Sequence, residues 1–320
     1  MQFGVYLPHA GPLCDATDLL NVAQVAEELG FASLWANDHI PHTLAWSEKF
    51  HCVGSFDTAN KADHLECITT MCFVGAVTKR ISLGFSVLVL PFRSPALMAK
   101  QLATLDVFSG GRLILGVGAG AVKSEFQSLS IPFDDRAAKS VESIRLLRKY
   151  WDEGAIKSEA DGEQVLLDML PRPMQKPTPP FWFGGHTPWA LKTTARHCEG
   201  WLPFALSPAE YESKLDQLDS VLTDIGKPRP VLASQHLIKI DENAEQAEKR
   251  AHSTLSTKFG DIALGKDKSI IGNPDDVIEK LQTYAAMGVE HVLLGFISTT
   301  TTQMLEEMEL FAKRVLPEFS

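Results

Sequence analysis

The sequence predicts a (β/α)8 barrel of the α/β class, carrying insertions. Three observations support this. Eight short apolar runs alternate with longer segments of helical period along the whole chain. The runs are nearly continuous in apolar character, as in strands covered on both faces. Four of them are followed by glycine or polar clusters, where a barrel keeps its functional loops: Asn37-Asp38-His39, Phe85-Ser86-Val87, Gly118-Ala119-Gly120 and Gly184-Gly185-His186. A doubly wound open sheet shares the alternation, because periodicity does not reveal closure.

The strands are expected at 3–7, 33–37, 81–88, 112–117, 180–184, 200–204, 231–240 and 291–296. Between them, 18–29 reads as a helix ended by Gly30, a good left-handed terminator. Residues 65–77 follow, and 96–108 starts after Pro95, a favoured first-turn residue. Helices are then expected at 137–151, 188–197, 208–225, 274–287 and 302–315. Asn273-Pro274 supplies an N-cap with a first-turn proline, and Gly288 closes that helix. The chain reads as a single domain over 1–320 with insertions near 40–64, 155–179 and 241–273. The first and last exceed ordinary loop lengths, and 40–64 is expected to be a lid. The middle one resembles a hairpin, with Pro171, Pro173, Pro177, Pro179 and Pro180 leading back to the fifth strand.

The segment Leu105–Gly120 carries the densest local signal: a helix end, a turn at Ser109-Gly110-Gly111, an apolar strand, then alternating glycines. Bare N–H groups at such a strand end grip a phosphate or a planar cofactor. Gly116, Gly118 and Ala121 satisfy G-x-G-x-x-A, yet a dinucleotide site also needs an acid closing the next strand. Asp134 and Asp135 instead open a helical stretch. Glycines that only let a strand end pack tightly are the plain alternative.

With 45% hydrophobic residues among 320, the chain buries a large core. Its net charge of −10, with no long Lys/Arg run, argues against nucleic acid and anionic membranes as partners. Five cysteines, Cys14, Cys52, Cys67, Cys72 and Cys198, include no C-x-x-C pair and suit a reducing cytoplasm. Met1–Leu7 shows no basic leader and no window spans a membrane, so a cytoplasmic location is expected.

As a set, several blocks resemble the luciferase-like monooxygenase family of flavin and deazaflavin barrel enzymes. They are Ala23–Phe31 with Leu34-Trp35 and Asp38-His39, Thr78–Gly84, Pro95–Gly120, Phe181–Gly185 and Gly288–Val292. The resemblance covers most of the chain. It implies an oxidoreductase acting on a small molecule by hydride transfer or monooxygenation. The ring system of coenzyme F420, or alternatively FMN, lies in the barrel mouth. It implies a non-prolyl cis peptide at Ser86–Val87 under the ring, and cofactor contacts from Gly118, Ala119, Gly120, Gly184, Gly185 and His186. The deazaflavin branch carries an Asp-His pair after its second strand, matched here by Asp38-His39. That match implies a catalytic His39 passing a proton at the ring and an Asp38 that binds the cofactor. A homodimer is implied too, with Met71, Cys72 and Val74 as the expected contact face.

Departures shape the expected chemistry. Ala121 stands where the branch's sugar-phosphate dehydrogenases have a Glu, and Thr43 where they have a Trp, with Trp46 displaced. His39 is then the only matched titratable group placed at the ring. No cationic cluster follows Trp201–Leu206, so an apolar or weakly polar substrate fits better, against Trp46, Phe50, Phe56 and Phe204. A metal-dependent hydrolase is the rival chemistry: His39 and His42 lie beside Asp38, but Pro41 separates them and no H-x-H follows the first strand. No metal site is therefore expected. A flavin-binding protein that has lost catalysis is the non-enzyme alternative.

Overall fold

The structure is a computed structural model describing residues 1–40, 63–152, 155–160 and 163–319, with the backbone alone over 155–167. Its strands are β1 (Gln2–Tyr6), β2 (Ser33–Ala36), β3 (Ser82–Phe85), β4 (Leu88–Val89), β5 (Leu113–Gly118), β6 (Ala155–Ala160), β7 (Glu163–Asp168), β8 (Phe181–Gly184), β9 (Gly200–Leu202), β10 (Val231–Ile240), β11 (Ile270–Gly272) and β12 (His291–Phe296). Eight of them pair in parallel in the order β1-β2-β3-β5-β8-β9-β10-β12, and β12 returns to β1 through Val5↔Leu294. The sheet is therefore a closed (β/α)8 barrel, and the open-sheet alternative is excluded.

The outer ring is α1 (Ala16–Glu28), α2 (Cys67–Val77), α3 (Pro95–Ser109), α5 (Arg136–Asp152), α6 (Pro188–His197), α7 (Pro208–Ile225), α10 (Pro274–Ala286) and α11 (Thr301–Arg314). The terminators act as the sequence suggests. Asn273 and Asp276 form a reciprocal capping box at α10, and Gly110 ends α3 at φ 71°. Three further helices are insertions: α4 (Lys123–Ser128), α8 (Ala244–Phe259) and α9 (Ile262–Lys268). The long connection 241–273 is thus not a loop: α8, α9 and β11 fill it, and β11 pairs in parallel with the end of β10. β6 and β7 pair antiparallel, from Ala155↔Asp168 to Ala160↔Glu163. The expected lid falls almost wholly on residues outside those described.

The strand expected at 81–88 is two pieces. β3 ends at Phe85, and β4 resumes beyond a cis Ser86–Val87 peptide to pair with the end of β5. Inside the barrel, Tyr6, Trp35, Trp182, Leu202, Ala233 and Leu293 form a cluster of their own. The rings of Trp35 and Trp182 lie 5.6 Å apart. A Cβ on Gly84 would come within 2.4 Å of Trp35, and one on Gly200 within 2.3 Å of Trp182, so those strands present no side chain there. The larger core lies between strands and helices, with Phe3, Leu34, Leu83, Leu115, Phe183 and Phe311 all buried. No helix among the described residues is long and apolar enough to cross a membrane.

Candidate functional site

A cleft of about 790 Å³ opens at the C-terminal ends of the strands. Helices of a barrel run back from that end, so their N-termini also point there. All ten residues singled out in the sequence line it: Asp38, His39, Ser86, Val87, Gly118, Ala119, Gly120, Gly184, Gly185 and His186. They come from the ends of β2, β3, β5 and β8, which the barrel closure brings together.

The Ser86–Val87 peptide is held from below. Tyr6 donates its hydroxyl to Ser86 O at 2.7 Å, and Ser86 Oγ donates to Gln235 Oε1 at 2.6 Å. The Val87 side chain lies between two glycines. A Cβ on Gly118 would meet Val87 Cγ2 at 2.6 Å, and one on Gly184 would meet Cγ1 at 2.5 Å. Gly120 leaves room for Val89 and Phe126 in the same way. These three positions need glycine to seat protein side chains while their backbone lines the cleft.

Gly185 is different. Its φ is +102°, and a Cβ there would meet nothing closer than Ala190 at 3.5 Å. Trp201 Nε1 donates to Gly185 O at 2.9 Å and pins the turn. Thr187 caps α6 by accepting from Ala190 N. Among the described residues, the N–H groups of Gly185, His186 and Thr187 have no protein acceptor. Together with the positive helix end they form an anion cradle. Burial, and next the charge of Lys214, lower the His186 pKa, so its imidazole is neutral at neutral pH.

The sequence missed the acid at the site. His39 Nδ1 donates to Glu125 Oε1 at 3.0 Å, and Ile40 N donates to the same oxygen at 3.0 Å. Glu125 is buried, with 3% of its side chain exposed against 17% for His39. It stands on α4, four residues after Ala121, and so brings a carboxylate to the mouth from another position. Because Nδ1 carries the donated proton, the neutral ring has Nε2 as its acceptor. His64 packs edge-on to His39 at 5.5 Å and to His9 at 5.1 Å. His9 is fixed: it accepts from Asn37 N at 3.1 Å through Nε2, and burial lowers its pKa.

Asp38 is 2% exposed, and its carboxylate is engaged by the protein. Arg93 grips both oxygens, at 2.5 and 2.9 Å, and Val89 N donates to Oδ2 at 3.0 Å. Asp38 therefore ties β2 to β4 while still lining the cleft. Asp38, Glu66 and Cys67 are the one metal-like group among the described residues. Arg93 already supplies the cation there, since it also pairs with Glu66 at 2.7 Å. Burial, followed by Asp38, pushes the Cys67 thiol up, which disfavours the thiolate a metal needs. His42, Thr43, Trp46, Phe50 and Phe56 lie outside the described residues.

Phe204 does line the cleft, joined by Leu202, Trp189 and Phe259. Two cations there were not anticipated. Lys258 lies 4.6 Å over the Phe204 ring, and Arg136 stacks on Phe133 at 3.9 Å while donating to Phe133 O. Both stand on helices distant in sequence from the strand ends, so strand-end reasoning does not reach them.

A family model described as luciferase-like monooxygenase matches residues 1–261. An FMNH2-dependent dimethylsulfone monooxygenase of Pseudomonas putida is 26% identical, over 92% of this chain and 86% of its own. The 5,10-methylenetetrahydromethanopterin reductase of Methanopyrus kandleri is 25% identical over 100% and 99%. Among solved structures, an F420-dependent secondary alcohol dehydrogenase in complex with an F420-acetone adduct superimposes with a TM-score of 0.80. Its sequence identity is 18%, and the match covers 100% of this chain and 99% of that one.

Proposed function

The chain belongs to the luciferase-like monooxygenase family and is an oxidoreductase. From that premise we propose that it uses coenzyme F420 to move hydride to or from an apolar or weakly polar small molecule. The observation that carries the reading is the His39–Glu125 pair at 3.0 Å on the cleft. Hydride movement at a carbonyl or alcohol requires a matching proton, and an imidazole of fixed tautomer supplies or removes it. The deazaflavin, when bound, would supply hydride alone, because carbon replaces the ring nitrogen that lets flavins pass single electrons to oxygen.

The residues fit such a group. The cleft lies within the ~300–1,000 Å³ range of cofactor sites. In this reading Gly185, His186 and Thr187 receive the phosphate on their N–H groups, and Val87 with Ala119 backs the ring. His39 faces the reacting carbon, Glu125 orients His39, and Asp38 positions the β4 segment through Arg93. Phe204, Leu202 and Phe259 exclude water from the substrate side. FMN-dependent monooxygenation is the second reading, because the same cradle accepts the FMN phosphate and one relative is FMNH2-dependent.

The test titrates the protein with F420 and with FMN by fluorescence. The expected result is F420 binding at least about tenfold tighter, a difference of roughly 1.4 kcal/mol. Tighter FMN binding with oxygen consumption by the reduced complex overturns the deazaflavin assignment. Binding of either ring without turnover supports the inactive alternative.

We further propose that the protein is a homodimer. Met71 and Val74 are buried in the core and leave the expected contact face. Cys72 stays exposed beside Phe73, which is 62% exposed, while α3 presents Phe108 at 82% and Leu97 at 57%. These residues supply the apolar surface for the association.

A further inference from the structure

A second cavity, of about 170 Å³, lies at the C-terminal ends of β1 and β12 under helix α8. Tyr6 lines both it and the large cleft. Helix α8 does the same: Thr254 lines the cavity, and Lys258, one turn on along the same helix face, lines the cleft. The two spaces are neighbours across these residues. Neither His39 nor the phosphate cradle borders the smaller one.

Its chemistry is apolar with hydroxyls and no free charge. Leu7, Phe296 and Met304 wall it, and Ser253, Thr254, Ser298 and Thr299 bring hydroxyls. Arg250 borders it, but its guanidinium is met by Asp241 at 2.8 Å. Lys239, buried nearby, is closed on Glu307 and on Ile297 O. Ser298 donates its proton to Glu307 at 3.3 Å, and Thr299 donates to Gln303 at 3.1 Å. Those two oxygens are thus available as acceptors, while Ser253 and Thr254 bring hydroxyl donors. A neutral group that both donates and accepts completes the set, and a hydroxyl is the smallest such group on a carbon chain. The volume suits a short tail, against roughly 30 Å³ for each water in the liquid.

We propose that this cavity is the subsite for a distal hydroxyl on an elongated substrate whose reacting end lies in the large cleft. This rests on the oxidoreductase reading of that cleft. The substrate class is then an aliphatic or alicyclic alcohol or ketone carrying a second, unreacting hydroxyl. An anionic end is disfavoured, because Lys239 is closed on Glu307 and Arg250 already shares its charge with Asp241.

Met304 supplies the probe. The protein is labelled with 13C at its methionine methyls, Met304 is assigned through Met304→Leu, and 1-hexanol and sodium hexanoate are titrated in. The expected result is a saturable shift of Met304 with 1-hexanol and at least about tenfold weaker binding of hexanoate. Thr254→Val with Ser253→Ala keeps the shape and abolishes the preference for the alcohol. An unmoved Met304, or hexanoate binding as well as 1-hexanol, overturns the subsite. F420 and FMN are titrated into the same preparation. A Met304 response without binding of either cofactor overturns the oxidoreductase reading and the substrate role with it. Cofactor binding without a Met304 response overturns the subsite alone.

Discussion

His39 turns its Nδ1 onto the Glu125 carboxylate 3.0 Å away, although 86 residues separate them in the chain. The contact couples the end of β2 to an inserted helix after β5. It also fixes which ring nitrogen carries the proton. His39→Ala is expected to keep cofactor affinity within about tenfold and to lower kcat at least about a hundredfold. Glu125→Gln retains an acceptor and is expected to lose roughly ten- to a hundredfold in kcat, the range for removal of an orienting partner. Cofactor titration and turnover on the same preparations decide both; wild-type turnover in either variant removes that residue from the mechanism.

The packing of Val87 into the Gly118 and Gly184 slots predicts a compensating pair. Gly118→Ala puts a methyl 2.6 Å from Val87 Cγ2 and is expected to destabilise the fold by about 1–3 kcal/mol. Val87→Ala in the same chain removes the clashing methyls and is expected to recover most of that loss. Urea unfolding of the two single variants and the double variant measures the coupling, and strict additivity refutes the contact.

Gly185 offers a direct probe of the cradle. Asp at this position adds a carboxylate beside the N–H groups of His186 and Thr187, whereas Asn adds the same shape without charge. Both meet the strain of φ +102°, which Asn and Asp tolerate better than most residues. Gly185→Asp is expected to abolish binding of a phosphate-bearing cofactor, and Gly185→Asn to weaken it less. Equal binding by both variants rules out an anion at this turn.

Two buried histidines predict how the fold responds to acid. Burial lowers the His291 pKa to about 3 and that of His236 to about 4. Trp35 Nε1 donates to Ser33 Oγ, so Ser33 gives its own proton to His291 Nε2, and that ring is held neutral. Unfolding restores both groups to about 6.5. The folded state therefore binds fewer protons, and its stability is full above pH 6.5 and falls as the pH drops towards 4 and then 3. The slope is up to about 1.4 kcal/mol per pH unit for each histidine. Urea midpoints at pH 7, 6 and 5 follow the decline, and His291→Gln is expected to shallow it.

Self-association tests the exposed face of α2 and α3. Phe73→Glu combined with Phe108→Glu is expected to convert a dimer to the 35.2 kDa monomer by light scattering. A wild-type protein already at that mass refutes the dimer.

Much of this architecture was legible because barrel strands are covered on both faces and helices announce their ends. The runs 231–240 and 291–296 and the helices 188–197 and 208–225 coincide with what the periodicity marks. The cis Ser86–Val87 peptide matches what the family resemblance implies, but the apolar period alone reads 81–88 as one continuous strand. Only the neighbouring Gly118 and Gly184 explain where Val87 goes. Glu125 was hidden for a related reason: its partner is set by barrel closure, and no local pattern encodes a contact across 86 residues. The inserted helices were a missed signal of another kind, because Asn243 and Asp261 both cap helices and Gly260 ends one. Asp38 was legible as a cleft residue, but its ion pair with Arg93 was not, because that contact spans 55 residues.

The stacked indoles of Trp35 and Trp182 have a further consequence. They stopper the barrel axis, so nothing threads through from the far end. Among the described residues the cleft is entered from the strands' C-terminal ends, and two molecules that share one entrance cannot pass each other freely. Whichever sits deeper arrives first and departs last. A floor closed by two tryptophans outside the cleft lining thus favours an ordered sequence of binding.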